Sequence, residues 1–64
     1  MILDFFVEDE VCITDTSGKK YYGIVELIIL AEELEENEDL IGIETKGEHI
    51  VFFQSEIRSI EKVR

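Results

Sequence analysis

Two glycine turns constrain this chain more than any other feature. Thr16-Ser17-Gly18-Lys19 separates Val11-Cys12-Ile13-Thr14 from Tyr21-Tyr22-Gly23-Ile24-Val25. Lys46-Gly47-Glu48 separates Leu40-Ile41-Gly42-Ile43-Glu44-Thr45 from His49-Ile50-Val51-Phe52-Phe53. Runs rich in β-branched and aromatic residues on either side of such turns are a hairpin signal. The chain therefore reads as two hairpins. Its ending, Ile50 to Glu61, adds a strand, a one-turn helical step and a second short strand. Ser55 is placed to cap that step, and Glu56 sits in its first turn, where negative charge is favoured. Ile57 and Ile60 stand three apart, so one tight turn brings both toward a core. Ser59 to Val63 form the closing strand.

The second strand runs from about Lys20 to Leu30. Its odd positions (Tyr21, Gly23, Val25, Leu27, Ile29) and even positions (Tyr22, Ile24, Glu26, Ile28, Leu30) are both largely apolar. A half-exposed strand alternates instead. The second face therefore needs a cover, from Ile2, Leu3, Phe5 and Phe6 or from another subunit. Gly23 marks the expected bend or bulge. Leu27, Leu30, Ala31 and Leu34 also have helical spacing, so a helix over 26–36 competes. The β-branched Ile24, Val25, Ile28 and Ile29 favour strand. Six acids in 32–39 would repel one another along a helix, so this stretch is read as an acidic loop or a single turn.

The expected architecture is all-β: one domain over residues 1–64, five strands curled into a small barrel, with a short helical turn before the last strand. Residues 1–9 form an N-terminal arm. The predicted core is Val11, Ile13, Val25, Leu27, Ile41, Ile43, Val51, Phe53, Ile57 and Ile60.

A chain of 64 residues buries only about 60% of its unfolded surface, so its core is marginal. Domains this small rely on disulfides, metals or oligomerisation. One cysteine, Cys12, excludes an internal disulfide. It fits a reducing, cytoplasmic setting. Met1 to Val7 lacks the basic n-region and cleavage site of a signal peptide. No apolar run approaches the roughly 20 residues of a membrane helix. Self-association is the support left open.

Sixteen acids against six bases give a formal net charge of −10. Nucleic-acid binders need a basic face, because phosphate contacts dominate affinity. Only Lys19 and Lys20, next to Tyr21 and Tyr22, form a small basic-aromatic cluster able to stack a single strand. The simpler reading of those tyrosines is barrel packing. His49 is the only histidine, and no nucleophile or second acid-base group is signalled beside it. A surface strand position is its simpler role. Cys12 has no Cys or His partners for zinc. It reads as a semi-buried structural thiol pointing away from the Val11/Ile13 face. Glu32, Glu33, Glu35, Glu36, Glu38 and Asp39 lack the alternation and glycine turn of a calcium loop. They read as a solvated loop or an acidic docking surface for a basic partner. No catalytic set, metal site or cofactor is expected.

Val11, Ile13, Gly18, Tyr21, Gly23 and Val25 together resemble the first motif of Sm-like domains. The strand–strand–turn–strand order of the second half is similar too, and SH3-like barrels share much of it. The resemblance covers about residues 8–62. Small bacterial proteins of this general shape look similar as well. What it implies is a barrel and a ring or smaller oligomer. RNA-binding Sm-like proteins carry an Asp-x-x-x-Asn type element after the second strand, where this chain has Ala31-Glu32-Glu33-Leu34-Glu35. Before the last strand they carry an Arg-Gly or Lys-His type element, where this chain has Phe53-Gln54-Ser55-Glu56. The family's RNA site is therefore not carried over.

Two functions follow as expectations. The first is a non-enzymatic binding and assembly module that self-associates and engages a protein partner. Lys19, Lys20, Tyr22, Ile28, Leu30 and Phe52 are its candidate surface. The alternative is RNA binding by an Sm-like protein through Lys19, Lys20 and Tyr22.

Overall fold

The computed structural model describes residues 2–34 and 37–63. A 3₁₀ turn at Ile2–Asp4 precedes β1 (Glu10–Asp15) and β2 (Lys20–Ile29). A one-turn helix, α1 (Ala31–Leu34), leads on to β3 (Leu40–Thr45) and β4 (Glu48–Phe53). A second 3₁₀ turn, Gln54–Glu56, joins β4 to β5 (Ile57–Lys62). All pairings are antiparallel, in one sheet of order β4-β3-β2-β1-β5. Val11 and Ile13 of β1, Val25 of β2, Ile41 and Ile43 of β3, Phe52 of β4 and Ile57 of β5 belong to one buried cluster. A five-stranded sheet brings its two margins into one cluster only by curling on itself.

Three of the ten expected core residues, Val51, Phe53 and Leu27, lie outside the core cluster, and a fourth, Ile60, packs on it while only half-buried. The β3–β4 turn has only two residues, so Thr45 pairs with Glu48, Ile43 with Ile50 and Ile41 with Phe52. Once Ile41 and Ile43 point inward, Ile50 and Phe52 must follow, because strand side chains alternate. Val51 is left 50% exposed, and Phe53 is half-buried at the strand end. Phe52, expected on the interaction surface, is instead in the core, with its ring edge-on to Tyr21 at 5.1 Å between centroids. Leu27 is half-buried, and Ile60 packs on the core from a half-buried position.

Leu27 is displaced by a bulge. The β2–β3 register steps from Val25↔Ile43 to Leu27↔Gly42, which leaves Glu26 as the extra residue. The expected bulge at Gly23 therefore falls three residues later. Before Glu26 the odd positions Tyr21 and Val25 face the core; after it Ile28 does. One strand thus serves the core with both parities, which is why both of its faces look apolar in sequence. Ile28, another expected surface residue, packs inward for the same reason. Gly23 has a different task. A Cβ there would lie 2.5 Å from the Glu44 carbonyl oxygen, so only glycine lets β3 cross this close.

The N-terminal arm covers the core in part. Ile2 is fully buried and Phe5 packs against the cluster, while Leu3 and Phe6 are 63% and 70% exposed. Backbone bonds from Glu8 N–H to Val25 O (2.7 Å) and from Val25 N–H to Asp9 O (2.9 Å) pin the arm beside the bulge.

The closing turn differs from its expected capping. Ser55 does not cap it; the Glu56 carboxylate accepts from Phe53 N–H at 2.8 Å. Ser55 donates its N–H and hydroxyl to Glu38, at 2.6 and 3.1 Å. Asp39 accepts from Ala31 N–H through its side chain (2.8 Å) and from Gln54 N–H through its carbonyl (3.0 Å). Two members of the acidic segment are thus fastenings. Glu32 and Glu33 are exposed on α1, and Glu35 and Glu36 lie outside the described residues. β5 begins at Ile57, two residues earlier than expected, because Asp15 pairs with Ile57 across a bulge at Thr14/Asp15. Among the described residues no helix is long and apolar enough to cross a membrane.

Candidate interaction face

The upper half of β2 alternates cleanly. Lys20, Tyr22 and Ile24 are exposed, while Tyr21 and Gly23 are half-buried and Val25 is buried. Tyr22 is 60% and Ile24 45% exposed, although β2 is the middle strand of the sheet. Outward positions on an interior strand facing water are ordinarily polar. On β1, Thr14, Cys12 and Glu10 lie opposite Lys20, Tyr22 and Ile24. On β3, Glu44 lies opposite Ile24.

The two hairpin turns bound this face. Asp15 builds the first. Its Oδ1 accepts from Ser17 N–H (2.9 Å), Ser17 Oγ–H (2.6 Å) and Lys19 N–H (3.0 Å). These donors stabilise the ionised carboxylate, so Asp15 titrates below its ordinary range, with the Ser17 hydroxyl the largest cause. Gly18, at φ +93°, completes the turn. The Lys46-Gly47 turn has φ values of 52° and 82° at its two central residues. That is the geometry of a type I′ hairpin, which asparagine followed by glycine adopts most cheaply. Here a lysine occupies the left-handed position instead.

Beyond the Ile24↔Glu44 pair the two hairpins diverge and leave two adjoining hollows. Tyr22, Thr45 and Lys46 line both. The first, about 360 Å³, continues over Gly23 and Ile24 to Glu10 and Glu44. The second, about 270 Å³, continues to Lys19, Lys20 and Tyr21 and to Glu48 and Ile50 of β4. Lys19 Nζ stands 5.1 Å from the Tyr21 ring centroid, and Lys20 Nζ donates to Thr14 Oγ1 at 3.2 Å. Arg58 donates to Thr16 O at 3.1 Å, so it sits at the same turn. Four of the six bases therefore gather around the two hairpin tips, together with Asp15 and Glu48, while Glu10, Glu26 and Glu44 lie toward the opposite end of the β2 face.

Glu26 reaches outward over β3 to His49, with Nδ1 and Oε2 2.7 Å apart. This hydrogen bond, and then the carboxylate's charge, raise the His49 pKa above its ordinary 6.5. The imidazole is well exposed. Cys12 is buried beneath Tyr22. A hydrogen bond with Cys12 is the largest cause holding the Tyr22 phenol above its ordinary range. The described residues contain no group of three or more His, Cys, Asp or Glu side chains arranged to hold a metal ion.

Of the expected surface residues, Lys19, Lys20 and Tyr22 are brought together. Leu30 stands apart, lining a third hollow with Leu3, Ala31 and Asp39. Ile24, Lys46, Glu10 and Glu44 join the face without having been singled out. The alternation Lys20, Tyr22, Ile24 signals the first of these. The two-residue turn carries the signal for Lys46. No family model matches the chain, and neither a curated protein nor a solved structure matches it. The fold and the face define a small all-β domain with an apolar outward centre on its middle strand.

Proposed function

We propose that this chain is a non-enzymatic binding and assembly module that self-associates, built on an Sm-like or SH3-like barrel. The observation that carries self-association is the outward pair Tyr22 and Ile24, exposed on the middle strand of the sheet. Apolar side chains at the centre of a face are what protein contacts bury. Five antiparallel strands with a 3₁₀ turn before the last support the barrel reading. The buried free thiol of Cys12 suits a reducing, cytoplasmic compartment. The net charge of −10, with Glu32 and Glu33 exposed, suits a basic protein partner for the assembled module. Light scattering at tens of micromolar, roughly the range of weak assembly, tests this. A mass above that of one chain is expected; a strict monomer overturns the reading.

A second reading rests on Lys46 joining Lys19, Lys20 and Tyr22 around one hollow. That arrangement supports binding of a short single-stranded RNA by stacking and phosphate contact. Titration of a fluorescent oligonucleotide at low and physiological salt checks it. Salt-sensitive binding that is lost in Lys46→Glu supports it, and no binding at low salt disposes of it.

A further inference from the structure

The outward face of β2 is electrically polar along its length. Lys20 stands at one end, with Lys19, Lys46 and one acid, Glu48, beside it. Glu26, hydrogen-bonded to His49, stands at the other, with Glu10 and Glu44 flanking Ile24. Tyr22 and Ile24 occupy the centre, placed symmetrically about Gly23. We infer that this face is a self-complementary interface, on which a second copy of the chain docks with its β2 running antiparallel to the first. This rests on the self-association proposed above and specifies its geometry.

The argument is one of symmetry. Two copies meeting face to face are related by a two-fold axis lying in the plane of contact. Two orientations of that axis matter. An axis along β2 would stack Lys20 on Lys20 and Glu26 on Glu26, and like charges brought together are repelled. An axis across β2, at Gly23, reverses the strand. Lys20 of one copy then faces Glu26 of the other, Lys46 faces Glu44, and Tyr22 of each covers Ile24 of the other. Both ends of the contact become attractive through one operation. The glycine at the axis is backbone only, so nothing there holds the faces apart.

The charge of −10 on each copy opposes association at long range. Screening over roughly 8 Å at physiological salt confines that repulsion in a molecule measuring 30 × 24 × 21 Å. The local pairs then decide the orientation. An interface of standard size covers about 800 Å² per partner, close to a fifth of the 4336 Å² of surface here. A contact centred on one strand is smaller, which places it among weak, transient interfaces.

Two charge-reversal variants test the inference, with sedimentation equilibrium reading the mass and far-ultraviolet circular dichroism the fold. Lys20→Glu with Lys46→Glu makes both ends of the face acidic. Glu26→Lys with Glu44→Lys makes the acidic end basic. Lys20, Lys46 and Glu44 are exposed and Glu26 is half-buried. Each variant alone should dimerise at least roughly tenfold more weakly than the parent, the scale of close interfacial charge pairs. Mixed, the two should form a one-to-one heterodimer. The reversals move the formal net charge from −10 to −14 and −6. Overall repulsion therefore predicts the opposite for the second variant, namely tighter self-association. If either variant dimerises as well as the parent, or if the mixture stays monomeric, the antiparallel β2 interface is wrong. Self-association by another route then stands on the mass of the parent protein. A monomeric parent overturns both.

Discussion

The inward and outward faces of this sheet divide two adjacent phenylalanines, Phe52 and Phe53. These are neighbours of identical chemistry. Phe52 is 6% exposed and stacks edge-on against Tyr21; Phe53 is half-buried at the end of β4. The inward face is closed by residues from all five strands and from Ile2. The outward face is held open around Tyr22, Ile24 and Val51. One face supplies the stability of the fold, and the other leaves apolar side chains exposed. A domain this small leaves few apolar residues to spare for the second task, so their placement is informative.

Phe52→Ala is the strongest challenge to that division. Emptying a core position of this size costs about 3–5 kcal/mol, comparable to the whole stability of a domain this small. Chemical denaturation should find the variant largely unfolded. Phe53→Ala should cost clearly less, and equal costs would show that the two faces are not distinct. Gly23→Ala comes next. Its methyl meets the backbone of Glu44 rather than a side chain that can swing away. Displacing β3 should cost about 1–3 kcal/mol, the range for overpacking, and should lower the thermal midpoint.

On the outward face, Ile24→Ser should shift monomer stability by no more than about 0.5 kcal/mol, as is usual for surface sites. The same change should weaken assembly. A large stability loss in the dilute monomer would mean that this side chain belongs to the core after all.

The smallest effects are those of pH. Asp15 titrates below its ordinary 3.8 in the folded state. Its contribution is fully present above pH 3.8 and is lost as pH falls through the lower folded value. His49 has the opposite sign. Its folded value is raised above 6.5, so its bond to Glu26 contributes fully below pH 6.5 and fades as pH rises through the folded value. His49 is exposed and Asp15 only half-buried, so both effects are small. Comparing Asp15→Asn and His49→Gln with the parent in denaturant melts across pH 3–8 should locate each at its own end.

Much of the fold was legible because its signals are local. Gly18 and Gly47 announced the turns, and Leu40–Thr45 was bounded as observed. Asp15-Thr16-Ser17-Gly18 also carried an unread signal, since aspartate two residues before a serine amide is a common turn device. The assignment of Val51 and Phe53 to the core failed for an avoidable reason. A two-residue turn fixes the register, and with Ile41 and Ile43 inward the alternative is excluded. The shift of the bulge from Gly23 to Glu26 was not legible. Glycine in a strand marks either a bulge or a close approach, and only the position of β3 distinguishes them. The interaction face was half visible. Lys19, Lys20 and Tyr22 are neighbours in sequence, whereas Lys46, Glu10 and Glu44 reach them only through strand pairing.

Sequence by itself determined a small β-rich fold with two hairpins and a closing turn. Alternation, turn chemistry and β-branching act over a few residues, and so they survive in the linear string. Tertiary structure alone decided which face of each strand is inward beyond the bulge. It also decided which lysines share a hollow, and that the outward surface of β2 runs from positive to negative. Those properties depend on register and curl, which are set by contacts between residues tens of positions apart.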